Sequence, residues 1–143
     1  MPDTRPPVRE FFDLFERHSD SGDAAASAAQ FADVFMAAGP HGAQCVRAAD
    51  FALALPKRVQ LFRSLGCRKT SLASFRETRL DGRFVMAETQ WSMTFESAAG
   101  DRKEAMADSM FIIDTAMDPY RIVFYLAHQD HMALLRGLGL MPA

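Results

Sequence analysis

The chain has 143 residues, 49% of them hydrophobic and 24% charged, enough to bury one core and to fold as a single domain over residues 1–143. A formal charge of -2 supplies no basic surface for tracking phosphates, which argues against nucleic-acid binding. Every apolar run is broken before the roughly 18 residues of a membrane span, and Met-Pro-Asp-Thr-Arg-Pro-Pro has no apolar signal core, so a cytoplasmic protein away from the membrane is expected.

In chain order, Pro6-Pro7 opens a helix on which Val8, Phe11, Phe12, Leu14 and Phe15 recur at helical spacing through about His18. Ser19-Asp20-Ser21-Gly22-Asp23 breaks it. Asp23 is placed to cap an alanine-rich second helix from Ala24 to Phe35, with Phe31, Val34 and Phe35 as its apolar edge. Gly39-Pro40-His41-Gly42 ends that unit and leaves room for a short strand at Ala43 to Arg47. Asp50 can cap one turn over Phe51 to Leu55. Pro56 then fits the first position of a third helix, whose inner stripe is Val59, Leu61, Phe62 and Leu65 and whose stop is Gly66.

Four strands follow, Arg68 to Arg79, Arg83 to Glu96, Glu104 to Asp114 and Tyr120 to His128, separated by Asp81-Gly82, Ala99-Gly100-Asp101 and Met117-Asp118-Pro119. In the second, Val85, Ala87, Thr89, Trp91, Met93 and Phe95 share one face, and Met86, Glu88, Gln90, Ser92, Thr94 and Glu96 the other. Glu88, Gln90, Ser92 and Thr94, taken with Phe111 and Tyr125, make a mixed outer face suited to pairing with a second copy. A last helix, Asp130 to Leu138, begins at Asp130 as its cap. Helices first and a four-stranded meander after predict an α+β fold, with the helices segregated to one face of a curved antiparallel sheet.

Phe31-Ala32-Asp33, the Gly39-Pro40 exit, the third helix and the long strands ending in Arg121-Ile122-Val123-Phe124 resemble the nuclear-transport-factor-2-like superfamily, also called SnoaL-like, over nearly the whole chain. The resemblance implies a cystatin-like cone: a curved sheet around a mostly apolar pocket, often paired as a dimer through the outer sheet face. Ketosteroid isomerase, one of its members, needs a carboxylate base and an oxyanion site built from a phenol and a protonated acid. Aligned to it, this chain has Gly39 at the base position and Leu14 at the phenol position. Asp108 alone falls near the oxyanion acid. The resemblance therefore implies a cone pocket without isomerase chemistry.

Phe35, Phe62, Trp91, Met93, Phe95, Met110, Ile112 and Phe124 form the apolar set expected inside, as plain core or as pocket lining. Asp108 shares a strand face with Met110 and Ile112. Desolvation there would raise its pKa toward an acid or base role, whereas pairing with Arg76, Arg121 or a backbone amide would leave it structural. His128 beside the last strand is either a partner acid or base or a satisfied structural histidine.

His128-Gln129-Asp130-His131 lacks the further ligand a metal site needs, and no cofactor motif is present; metal and cofactor are both expected to be none. Cys45 and Cys67 have no metal or redox spacing and are expected to be buried apolar residues. Lys57, Arg58 and Arg63 read as a solvated face, and His18 and His41 as exposed or capping groups. The leading functional reading is a binding module for a small apolar molecule, working as a homodimer. A lyase, isomerase or hydrolase using Asp108 with His128 is the second, and a dimerisation domain with a filled interior is the third.

Overall fold

The computed structural model describes residues 6–142. Helix α1 (Val8–Ser21) stops at Gly22, which takes a left-handed φ of 72°. Helix α2 (Ala24–Ala29) is capped by Asp23, whose carboxylate accepts from the Ala26 N–H at 3.0 Å. It ends earlier than its alanine content suggests. Phe31–Gly39 is strand β1, hydrogen-bonded on both sides, to β2 (Gly42–Arg47) and in parallel to β6 (Arg121–Ala127). The predicted helix to Phe35 is thus corrected. Phe31 and Phe35 lie four apart, a spacing that satisfies a strand's period of two as well as a helix's 3.6, and two flanking strands decide between them.

Helix α3 (Ala48–Ser64) runs unbroken through Pro56, where two separate segments are expected from the sequence. Pro56 stands on the exposed side, where the carbonyl that a proline leaves unpaired can reach water. Strands β3 (Cys67–Arg79), β4 (Phe84–Glu96) and β5 (Arg102–Asp114) then form long antiparallel ladders. The β3–β4 turn is held by Asp81, whose Oδ1 accepts from the N–H groups of Arg83 and Phe84 at 2.8 and 2.7 Å. Helix α4 (His131–Gly137) follows its N-cap Asp130, which accepts from Met132 and Ala133 at 2.9 and 3.2 Å. The sheet has six strands in the order β2-β1-β6-β5-β4-β3, so the expected meander is extended by the β1–β2 hairpin through a parallel β1–β6 pairing.

Register fixes which side chains face the helices. On β4, Val85, Ala87, Thr89, Trp91, Met93 and Phe95 are buried and their neighbours half-buried, as the alternation predicts. Trp91 pairs with Ala107, so Ala105, Ala107, Ser109, Phe111 and Ile113 share its inner face, while Asp108, opposite Gln90, faces out with Met110 and Ile112. Tyr125 pairs with Phe111 and faces in; Phe124 pairs with Ile112 and faces out. Phe111 and Tyr125 therefore leave the outer face to which their pattern assigns them.

Two apolar clusters form the interior. In one, Phe12 is fully buried between α1 and the sheet, its ring 5.2 Å from Phe111 and 5.3 Å from Phe75. In the other, Met93, Phe95, Ala105, Ala107 and Leu135 join α4 to the β4–β5 ladder. Between them the interior stays open.

Candidate functional site

The opening is a cavity of about 440 Å³, within the range that accepts small organic ligands. One wall is the inner sheet face, with Trp91, Met93, Ala107, Ser109, Phe111 and Tyr125. Phe15 and His18 of α1 and Phe31 of β1 form a second wall. A third comes from α3, where Leu55, Arg58, Val59 and Phe62 recur at i, i+3, i+4 and i+7, one face of a helix.

Polar groups gather at defined points of this apolar surface. At the sheet wall Trp91 Nε1–H donates to Thr89 Oγ1 at 2.9 Å, and the Thr89 and Ser109 hydroxyls meet at 2.9 Å. Ser109 is buried and lines the cavity. At the α4 side, Arg58 donates to Nδ1 of His131, lies 5.3 Å over the Phe62 ring and is close enough to the Tyr125 phenol to act on it electrostatically. A guanidinium only donates, so His131 Nδ1 carries no proton and the neutral ring holds its proton on Nε2. Burial first, and the Arg58 charge second, lower its pKa to about 4. Burial raises the Tyr125 pKa, keeping the phenol protonated. At the far end, Arg63 donates to the Ser21 carbonyl at 2.6 Å, and Asp20 accepts from the Thr70 N–H at 2.8 Å.

The residues expected at the site distribute unevenly. Phe62, Trp91 and Met93 line the cavity; Phe35 and Phe95 fill the core beside it. Met110, Ile112 and Phe124 lie on the opposite face of the sheet, a correction that follows from the β4–β5 and β5–β6 pairings. Asp108 and His128 are corrected in the same way. They border a shallow outer groove with Ser74, Arg76, Glu88 and Gln90, separated from the cavity by the sheet itself.

There Asp108 Oδ2 accepts from Gln129 Nε2 at 3.0 Å, and its backbone N–H donates to Gln129 Oε1 at 2.7 Å. Arg76 pairs instead with Glu88, its Nε 2.6 Å from Oε2. Leu14 is exposed, and Phe15 and His18 are the α1 side chains that reach the cavity. Asp20 is the only carboxylate among the described residues lining it.

Cys45 is exposed and Cys67 half-buried on the cavity wall, so neither is the core residue expected. His41, in the β1–β2 turn, bonds Asp130 at 2.6 Å, the main cause of that carboxylate's lowered pKa. Arg58 and Arg63, read from the sequence as a solvated face, Tyr125, read as outer-face, and His131, read only within a cluster lacking a further metal ligand, all line the cavity. The signal for Arg58 was a cation standing within the helical stripe from Leu55 to Phe62, even though it is exposed like Lys57 beside it.

The architecture is shared with solved structures. One is an NTF2-like protein with a cystatin-like fold from Novosphingobium aromaticivorans, with a TM-score of 0.70 and 19% identity over 92% of this chain and 85% of that one. The chain has the nuclear-transport-factor-2-like, cystatin-like fold. An NTF2-like protein of unknown function from Shewanella oneidensis MR-1 is similar at a TM-score of 0.69 and 12% identity, covering 85% of this chain and 96% of that one. The β subunit of a putative aromatic-ring-hydroxylating dioxygenase from Novosphingobium aromaticivorans shares the NTF2-like architecture at a TM-score of 0.63 and 13% identity, over 86% of each chain. No protein-family model matches the chain, and no curated protein matches it either. In this NTF2-like fold the cavity occupies the space between α3 and the concave sheet face, and α4 stands at one end of it.

Proposed function

We propose that the protein is a receptor for a small, largely apolar molecule held between α3 and the inner sheet face, without ketosteroid-isomerase chemistry. The observation that carries this reading is the 440 Å³ cavity, bounded by aromatic and aliphatic side chains with polar groups confined to a few points. A domain serving only dimerisation has no use for such a space, because unfilled volume costs packing energy. The cavity's one carboxylate, Asp20, already accepts a backbone N–H at the rim. Asp20 is the only carboxylate among the described residues on the cavity wall, and it stands at the rim rather than beside the apolar sheet wall.

The active assembly in this reading is a homodimer joined through the outer face of the sheet. The two free thiols accord with a reducing compartment such as the cytoplasm, and no helix among the described residues is long and apolar enough to cross a membrane. The test is native mass spectrometry of the purified protein, followed by Ala107→Leu. Ala107 is buried on the cavity wall, so the larger side chain occupies the ligand's space. The reading expects a co-purified small molecule that the variant loses while staying folded. A protein that carries no ligand and binds none from a panel of apolar compounds overturns it.

A further inference from the structure

Arg58, exposed like its helix neighbour Lys57, nonetheless lines the cavity, where it lies over the Phe62 ring and beside the side chains of Tyr125 and His131. Its partners there are a phenol and a neutral imidazole, and among the described residues no carboxylate pairs with it. Asp130, one residue before His131, is occupied by His41 and by capping α4. A guanidinium has five N–H donors in a planar fork, and the one hydrogen bond to His131 Nδ1 uses only part of it. Tyr125, kept protonated by burial, brings an O–H to the same place, and His131 holds its proton on Nε2.

The surrounding charge has the same sign. Arg63, Arg68 and Lys69 also line the cavity, against the single carboxylate of Asp20. Such a surface attracts anions toward the entrance and disfavours cations.

Resting on the cavity reading above, we infer that the bound molecule is an organic anion: an apolar body, aromatic or aliphatic, carrying a carboxylate or another acidic group seated on Arg58, Tyr125 and His131. A charge-assisted pair at the cavity's solvent-facing side, beside its apolar walls, is stronger than a neutral hydrogen bond there, and it gives Arg58 the counter-charge that the fold withholds. The sheet wall, with Trp91, Phe111 and Met93, takes the apolar body.

Trp91 is the only tryptophan in the chain and lines the cavity, so its emission reports occupancy. The experiment titrates the full-length protein with four probes of one shape: 4-butylbenzoate, 4-butylphenyl phosphate, 4-butylbenzyl alcohol and 4-butylbenzylamine. At least one anion should bind about tenfold or more tighter than the alcohol, and the amine most weakly. The benzoate and phosphate arms separate a carboxylate from a phosphoryl ligand.

In Arg58→Gln the preferred acid and the alcohol should fall within about twofold of one another, and Arg58→Lys should keep part of the preference. If the alcohol perturbs Trp91 while the anions bind no better, or if the amine binds best, the anion assignment is overturned and the cavity reading survives. If no probe changes Trp91 emission, both are overturned.

Discussion

Arg58 on α3 and His131 on the first turn of α4 meet at the cavity, the guanidinium donating to Nδ1 of a neutral imidazole. The pairing ties together two elements 73 residues apart in the chain. It works only with the ring unprotonated, because a second proton would place two cations in contact.

A dependence of stability on pH follows. The folded pKa of His131 is about 4, below the ordinary 6.5. Between those values the unfolded chain binds a proton that the folded chain refuses. Stability from this residue is therefore complete above about pH 6.5, falls as pH drops toward about 4, and falls no further below it. The loss is on the order of 2 kcal/mol once partial exposure is discounted. Urea denaturation at about pH 7 and about pH 4.5 measures it. The difference between the two should be smaller in His131→Gln by that amount.

Asp108 makes a contrasting prediction. It lies across the sheet from the cavity, exchanging two hydrogen bonds with Gln129. Asp108→Asn should leave the affinity of any cavity ligand within about twofold, with a stability change of roughly 1 kcal/mol or less, since an amide can keep a hydrogen bond to Gln129. Calorimetric titration with the bound molecule checks this. A large loss of affinity would place the ligand on the outer face.

Gly66 links α3 to β3 with φ at 96°, and a Cβ there would collide with the Glu96 carbonyl. Its own carbonyl accepts from the Glu96 N–H at 2.8 Å, so backbone retreat would break a bond at the end of the β3–β4 ladder. Gly66→Ala combines left-handed strain with a backbone clash and should cost roughly 2 kcal/mol or more. Gly82, with open space around it and an ordinary φ, is the control: Gly82→Ala should change the melting temperature little.

The sequence made the long strands legible because β4 alternates cleanly and its turn is built by Asp81. Inner and outer sides of β5 could not be told apart in the same way. Ala105, Ala107, Phe111 and Ile113 lie within, but Met106, Met110 and Ile112 lie without, so both faces read as apolar and only pairing with β4 sets the parity. That ambiguity moved Asp108 to the wrong side and Phe111 with it. The polar end of the cavity was hidden for another reason. Arg58, Tyr125 and His131 come from α3, β6 and α4, and nothing local to any of them records that they meet. The NTF2-like architecture was readable from element order, although β1 was taken for helix.

The outer face carries the last prediction. Across it, Met86, Ile112, Phe124 and Met36 stand in one row, each opposite the next in register, and Met110, Leu126 and Ala38 form the row beside it. All seven are half-buried, with every helix packed on the other side of the sheet. Two adjacent rows of apolar side chains form the kind of patch that two copies could bury against each other about a two-fold axis, the usual symmetry of a homodimer.

Such a pairing would give the outward position of Ile112 and Phe124 a physical reason, since a face this apolar is seldom left to water. Light scattering coupled to gel filtration should give twice the 15.9 kDa of one chain. Phe124→Glu puts a charge at the centre of the row and should yield a folded monomer, because the side chain lies outside both interior clusters. A wild-type protein that elutes as a monomer at all concentrations would refute the pairing.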